Sequence, residues 1–269
     1  MKPKVLGFIT IFSFLPQCLL ALPAEFNHSL FDRFLHECVH AGKVDYKAAQ
    51  KNRVLLNNYL LKVAHFSQAD FETLNREEKI SFLINVYNAG TIKIVVDHYP
   101  VKEVRKILTE EDSSLMIMGR AATLRFIKEE MLIRKFRDER IHAALFQAAK
   151  SGPLLRNEAY RADHLDGFLD ADAKRFVNDS VRNPIESGAQ KIYLSPLFKW
   201  HAEDFILNYG NAAARDSGQF NRLENAVLSF LIFYMTDPKK KSYLEKGRYK
   251  IRYLPYDWAL DEVSADAKK

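Results

Sequence analysis

Three residue types in this chain could perform acyl-transfer chemistry together. His142 opens an apolar stretch that ends at the turn Ser151-Gly152-Pro153, and Asp257 follows the last apolar run in Tyr256-Asp257-Trp258. A serine hydroxyl, an imidazole base and a carboxylate that orients it are the parts of an activated nucleophile. Ser151 lacks the glycine-flanked elbow of hydrolases, so spacing alone does not assemble the three. Arg156 offers a guanidinium that could clamp a carboxylate or phosphate, or pair with an acidic side chain.

Two carboxamides stand three residues apart, Asn85 and Asn88, inside Phe82-Leu83-Ile84-Asn85-Val86-Tyr87-Asn88-Ala89. In such apolar surroundings an unpaired amide costs about 1–3 kcal/mol. They are therefore read either as ties to neighbouring backbone, or as a pair of which one orients a catalytic histidine or lines a pocket. His36-Glu37-Cys38-Val39-His40 has the His-Glu-x-x-His spacing of zinc peptidases, in which two histidines one turn apart hold the metal. The apolar stripe of this segment centres on Phe34 and Cys38 and turns both histidines away from it. No metal site is expected, and Cys38 reads as core.

The elements that must position these groups are mainly helical. Apolar residues at 30, 31, 34, 35, 38 and 39 form a helical stripe, closed by Gly42. A second helix is predicted from Asn52 to Ala64. Asn75-Arg76-Glu77-Glu78 is a capping-box variant that opens a long helix to His98, stopped by Tyr99-Pro100. Its apolar residues fall on every side, which predicts a buried central helix. Leu115–Met118 and Ala121–Thr123 suggest a hairpin, and Leu124, Ile127 and Met131 an amphipathic helix. Further helices are predicted over Leu165–Val177 and Leu223–Met235. Lys191–Leu194 reads as a strand running into Ser195-Pro196, a helix start, and Tyr249–Leu254 as a final strand. The expected fold class is α+β: a mostly helical single domain, residues 25–269, around a buried central helix with a few short antiparallel strands.

The chain has 269 residues, 48% hydrophobic and 28% charged, enough to bury a core without disulfides or metals. Lys2 and Lys4 precede an apolar run from Val5 to Leu15, then small residues at Ala21 and Ala24. This is the pattern of a secretory signal over residues 1–24. Export to a periplasm or the medium is the expectation, with no transmembrane segment after signal removal and lipidation at Cys18 a side possibility. Cleavage lowers the formal charge from +6 to +4, six minus two lysines, and leaves Cys38 as the lone thiol. The runs Lys239-Lys240-Lys241 and Arg134–Arg140 read as solvated faces, so no nucleic-acid partner is expected.

These segments resemble the bacterial domain-of-unknown-function family 547. Phe82–Ala89 is similar to its Phe-Trp-Ile-Asn-Leu-Tyr-Asn-Ala helix. Ile141-His142-Ala143-Ala144-Leu145 and Lys150–Arg156 are similar to its Ile-His-Phe-Ala-Leu and Ser-Cys-Pro-Pro-Leu-Arg segments. Val44-Asp45-Tyr46, Tyr193-Leu194-Ser195, Trp200, Asp204-Phe205 and Tyr256-Asp257-Trp258 follow in order. The resemblance implies a thiol site with two cysteines, at positions occupied here by Gln147 and Gly152. It also implies a retained polar frame of Asn85, Asn88, His142, Arg156, Lys199, Trp200, Asp204, Tyr256 and Asp257. Since glycine has no side chain and glutamine is no nucleophile, Cys-His chemistry is excluded at those positions. The expected function is an exported protein that binds a small molecule or a protein partner, or serves as a scaffold, on a degenerate thiol-enzyme-like site, without a cofactor. Asn85, Asn88, Arg156, Lys199, Trp200 and Tyr256 would contact the ligand. The alternative is a hydrolase or acyl transferase using Ser151 or water, with His142 as base and Asp257 or Asn85 as orienter.

Overall fold

A computed structural model describes residues 26–109, 114–211 and 219–263; the expected signal segment, with Cys18, lies outside the described residues. Helix α1 (Ser29–Cys38) buries Phe31, Phe34, Leu35 and Cys38 on one face. It ends at Cys38, and His40 already belongs to strand β1 (Val39–His40). His36 and His40 therefore share no helical turn. Strand β2 (Lys43–Val44) pairs antiparallel with β1. The turn between them needs Gly42: its φ is +81°, and a β-carbon there would stand 2.7 Å from Leu154 Cβ, a conformation and a gap that only glycine tolerates.

Helices α2 (Tyr46–Lys51), α3 (Arg53–His65) and α4 (Gln68–Thr73) lead to α5 (Arg76–His98). The Asn75 side chain accepts the Glu78 N–H while Glu78 accepts the Asn75 N–H, so the capping box is complete in both directions. From Ile80 to Val96 every residue of α5 is buried except the half-buried Lys93, the environment of a helix that is apolar all round. After α6 (Arg105–Thr109), the hairpin of β3 (Ser114–Ile117) and β4 (Arg120–Thr123) lies against α5 at Gly90. A β-carbon on Gly90 would stand 2.0 Å from Leu115 Cδ1, so this mid-helix glycine is a contact point for the hairpin. The predicted amphipathic helix follows as α7 (Leu124–Phe126), a π-helical stretch (Ile127–Ile133) and α8 (Arg134–Phe136).

The short α9 (Ile141–Ala144) and the long α10 (Leu165–Asn178) lead to β5 (Lys191–Leu194) and α11 (Pro196–Trp200). A 3-10 turn (Ala202–Phe205) and α12 (Ile206–Tyr209) follow. The chain closes with α13 (Arg222–Tyr234), α14 (Pro238–Lys246) and β6 (Lys250–Tyr253). β5 and β6 pair in parallel, Lys191 opposite Lys250. That corrects the antiparallel expectation for this pair. The chain between them is a helical crossover, which returns the second strand in the direction of the first, whereas antiparallel pairs form across short turns.

The result is a mostly helical α+β architecture with three two-stranded sheets among the described residues. Its buried side chains form two clusters. One surrounds α5 with α1, α3 and the hairpin; the other gathers α10, α11, α13, β5 and β6. Ala143 belongs to the second cluster and Ala144 to the first, so α9 lies on the seam and carries His142 with it. No helix among the described residues is long and apolar enough to cross a membrane.

Candidate functional site

The frame of the site starts from α5. Asn85 donates to Tyr160 O at 2.8 Å and accepts the Tyr160 N–H at 2.9 Å. Asn88 donates to Ala144 O at 3.1 Å and accepts the Phe146 N–H at 2.8 Å. Both are enclosed, 0% and 1% exposed. Each carboxamide thus acts as a two-point tie for irregular backbone that has no sheet or helix to satisfy it. They position the segment after His142 instead of facing a cleft.

His142, itself 7% exposed, approaches Asp204 with Nε2 2.7 Å from Oδ2. Its ring stacks on His201, centroids 4.0 Å apart and planes 15° from parallel. Lys128, from the π-helical stretch, reaches His201 Nε2 at 3.0 Å. Four side chains from three segments so form one polar knot on the seam. Burial, reinforced by the nearby Lys128 charge, holds His142 well below the ordinary imidazole range. Burial, with His142 and Lys128 beside it, lowers His201 to about 2. Burial also lowers Lys128 and raises Asp204. Both rings are therefore neutral, which fixes their tautomers. His142 donates Nε2–H to the carboxylate, and His201 accepts the Lys128 proton at Nε2 and carries its own on Nδ1.

His142, His201 and Asp204 bring one ligand atom each within 4.8 Å of the others, a grouping that suggests a metal. The ring geometry argues otherwise. A metal bound to imidazole lies in the ring plane about 2.0–2.1 Å from nitrogen, and two nearly parallel planes in a stack share no such point.

The two positions at which the family resemblance expects cysteines are neighbours. A β-carbon on Gly152 would stand 3.1 Å from Gln147 Cβ and 3.3 Å from the Tyr256 hydroxyl. That hydroxyl donates to Gln147 Oε1 at 2.5 Å, closing the space above Gly152. Below, Gly152 O accepts from Arg182 Nε at 2.6 Å, and Arg182 pairs with Asp179 at 2.6 Å.

The remaining sequence-selected residues fall into three groups. Ser151 Oγ accepts the Asp257 N–H at 2.9 Å and Ser151 N–H donates to Asp257 O at 3.3 Å, while the Asp257 carboxylate accepts the Ala259 N–H at 2.9 Å. Ser151 and Asp257 thus meet through backbone, and the His142 hydrogen bond goes to Asp204. Arg156 is paired inward, with Asp172 at 3.0 Å and Glu158 at 2.9 Å, and its guanidinium lies 4.1 Å from the Phe168 ring centroid. Asp172, 1% exposed, also receives Arg175 at 2.8 Å and the Tyr160 hydroxyl at 2.5 Å. Trp200 is 51% exposed and packs on Tyr256, which packs on Trp258; Lys199 lies over Tyr253.

Sequence reasoning missed Lys128 and His201 altogether. His201 adjoins the Trp200 landmark, the one signal available, whereas Lys128 carries none. Cys38 is fully buried and burial pushes its thiol up to about 11, the behaviour of core filler and not of a nucleophile.

The fold and this knot define a mostly helical protein with a His–Asp pair whose histidine is buried. Residues 71–177 match the family described as "Protein of unknown function, DUF547", and the resemblance read from the motifs is shown over that stretch. Neither the curated proteins nor the solved structures contain a match to the chain.

Proposed function

We propose that this chain is an exported binding or scaffold protein, periplasmic or extracellular, built on a thiol-enzyme-like frame that has lost its chemistry. The observation that carries the reading is the Gln147–Tyr256 hydrogen bond over Gly152. It crowds the place a side chain at Gly152 would occupy, and Gly152 itself supplies no reactive atom. The rest of the polar frame supports it. Asn85 and Asn88 are taken up by backbone, Arg156 by the buried Asp172 and the half-buried Glu158, and Ser151 by the Asp257 N–H. A general base needs its proton donor within hydrogen-bond reach, and Ser151 Oγ bonds to the Asp257 N–H while the His142 ring is held by Asp204.

Active-site labelling tests this. Fluorophosphonate and iodoacetamide probes should leave Ser151 unlabelled, and modify Cys38 only when the protein unfolds. Stoichiometric labelling of Ser151 in the folded protein, lost in His142→Ala, would overturn the reading in favour of a serine hydrolase.

A further inference from the structure

A cleft formed by other residues lies beside the first turn of α1, near the start of α5 and against the segment Ala159–Ala162. It encloses about 360 Å³, within the range of small-molecule sites. Phe26 and Leu74 give it apolar wall, Asp32 and Glu78 carboxylates, and Arg161 a guanidinium. Ser81, also in its lining, is 2% exposed, and its hydroxyl has no hydrogen-bond partner. A buried unpaired hydroxyl is unfavourable in the empty protein, and a polar ligand atom would satisfy it.

The charged groups keep bonding capacity for a guest. Glu78 spends Oε2 on its capping box, and Asp32 spends Oδ1 on the Ala159 N–H with Oδ2 3.5 Å from His36 Nε2, a contact long enough to yield to an ammonium. Arg161 is 56% exposed and only loosely paired, 3.7 Å from Asp163. Two carboxylates and one guanidinium lining one cleft with apolar walls complement a molecule bearing both charges.

We propose that this cleft binds a small zwitterion with an apolar side chain, of the α-amino-acid class. Its ammonium pairs with Asp32 and Glu78, its carboxylate with Arg161, and its side chain rests on Phe26 and Leu74, with a polar atom completing Ser81. This names a ligand for the binding function and rests on that reading. It shares no residue with the His142 knot or the Gln147–Gly152 pair, so loss of one proposal is visible separately from loss of the other.

The test is calorimetry and thermal unfolding of the whole mature protein with L-leucine and L-phenylalanine. Controls are 4-methylpentanoate, which lacks the amine, and isopentylamine, which lacks the carboxylate. One-to-one binding of an amino acid is expected, with each control weaker by about ten-fold. Arg161→Gln should weaken binding by a similar factor. Ser81→Ala should weaken it too, while leaving the ligand-free melting temperature unchanged or higher, because an unpaired hydroxyl has been removed. No binding of either amino acid at millimolar concentration would overturn the proposal. So would equal binding of a control, or full affinity in both Arg161→Gln and Ser81→Ala.

Discussion

Gln147 and Gly152 face each other so closely that a β-carbon on the glycine would stand 3.1 Å from the glutamine's. Disulfide-bonded cysteines have β-carbons about 3.5–4.5 Å apart. A pair of cysteines here would thus sit at bonding distance after a shift of a few tenths of an ångström. The family resemblance and the geometry meet at this point: both expected cysteines occupy one spot, and both are replaced.

The double variant Gln147→Cys/Gly152→Cys should therefore close a disulfide under mild oxidant. Thiol titration of the unfolded mature chain would then count Cys38 alone. Three titratable thiols after oxidation would show that the two positions are held apart in solution.

Asn88→Ala should destabilise without touching any exposed surface. It leaves the Phe146 N–H and the Ala144 carbonyl without their partner, at a cost of about 3 kcal/mol. Urea unfolding measures the loss. A change under about 0.5 kcal/mol would mean that water or a neighbour takes over, and the tie would not be structural.

Acid should weaken the fold earlier than carboxylates alone would make it. His142 and His201 are held neutral by burial, as is His28, lowered to about 3. Their folded pKa values lie below the unfolded value near 6.5, so the unfolded chain takes up protons first. Stability is full above about pH 6.5 and falls as pH drops, by about 1.4 kcal/mol per unit for each such histidine. Between pH 6.5 and 5 the double variant His142→Asn/His201→Asn should flatten this slope markedly. An unchanged slope would mean that the two rings are already exposed to protons in the native state.

Zinc should not stabilise the native protein. The stacked imidazoles cannot both aim lone pairs at one ion. A zinc-dependent rise in melting temperature that disappears in His201→Ala would show that the stack opens to make a site.

The ends of α5 were legible because Asn75, Glu78 and Pro100 are local signals that act within a few residues. The same holds for Ser195-Pro196 at α11. Helix α14 has an equally local start in Asp237-Pro238, but its run of lysines carries no apolar periodicity to mark a helix. The parallel pairing of β5 with β6 depends on a helical crossover, which strand composition does not encode. The knot was least legible. His142 meets a carboxylate 62 residues away, a ring from the next turn and a lysine from a π-helical stretch, so its partners are set by how α9 lies on the seam between two cores. Asp257 has the residue type of an orienting acid, yet its carboxylate accepts the Ala259 N–H.

The most direct test of the central claim is turnover by the purified mature protein on a panel of peptide, ester and thioester substrates. The account predicts no rate above buffer, for the native chain and for His142→Ala alike. Turnover that survives Cys38→Ala and vanishes in His142→Ala would contradict it and make the His142–Asp204 pair a working catalytic base.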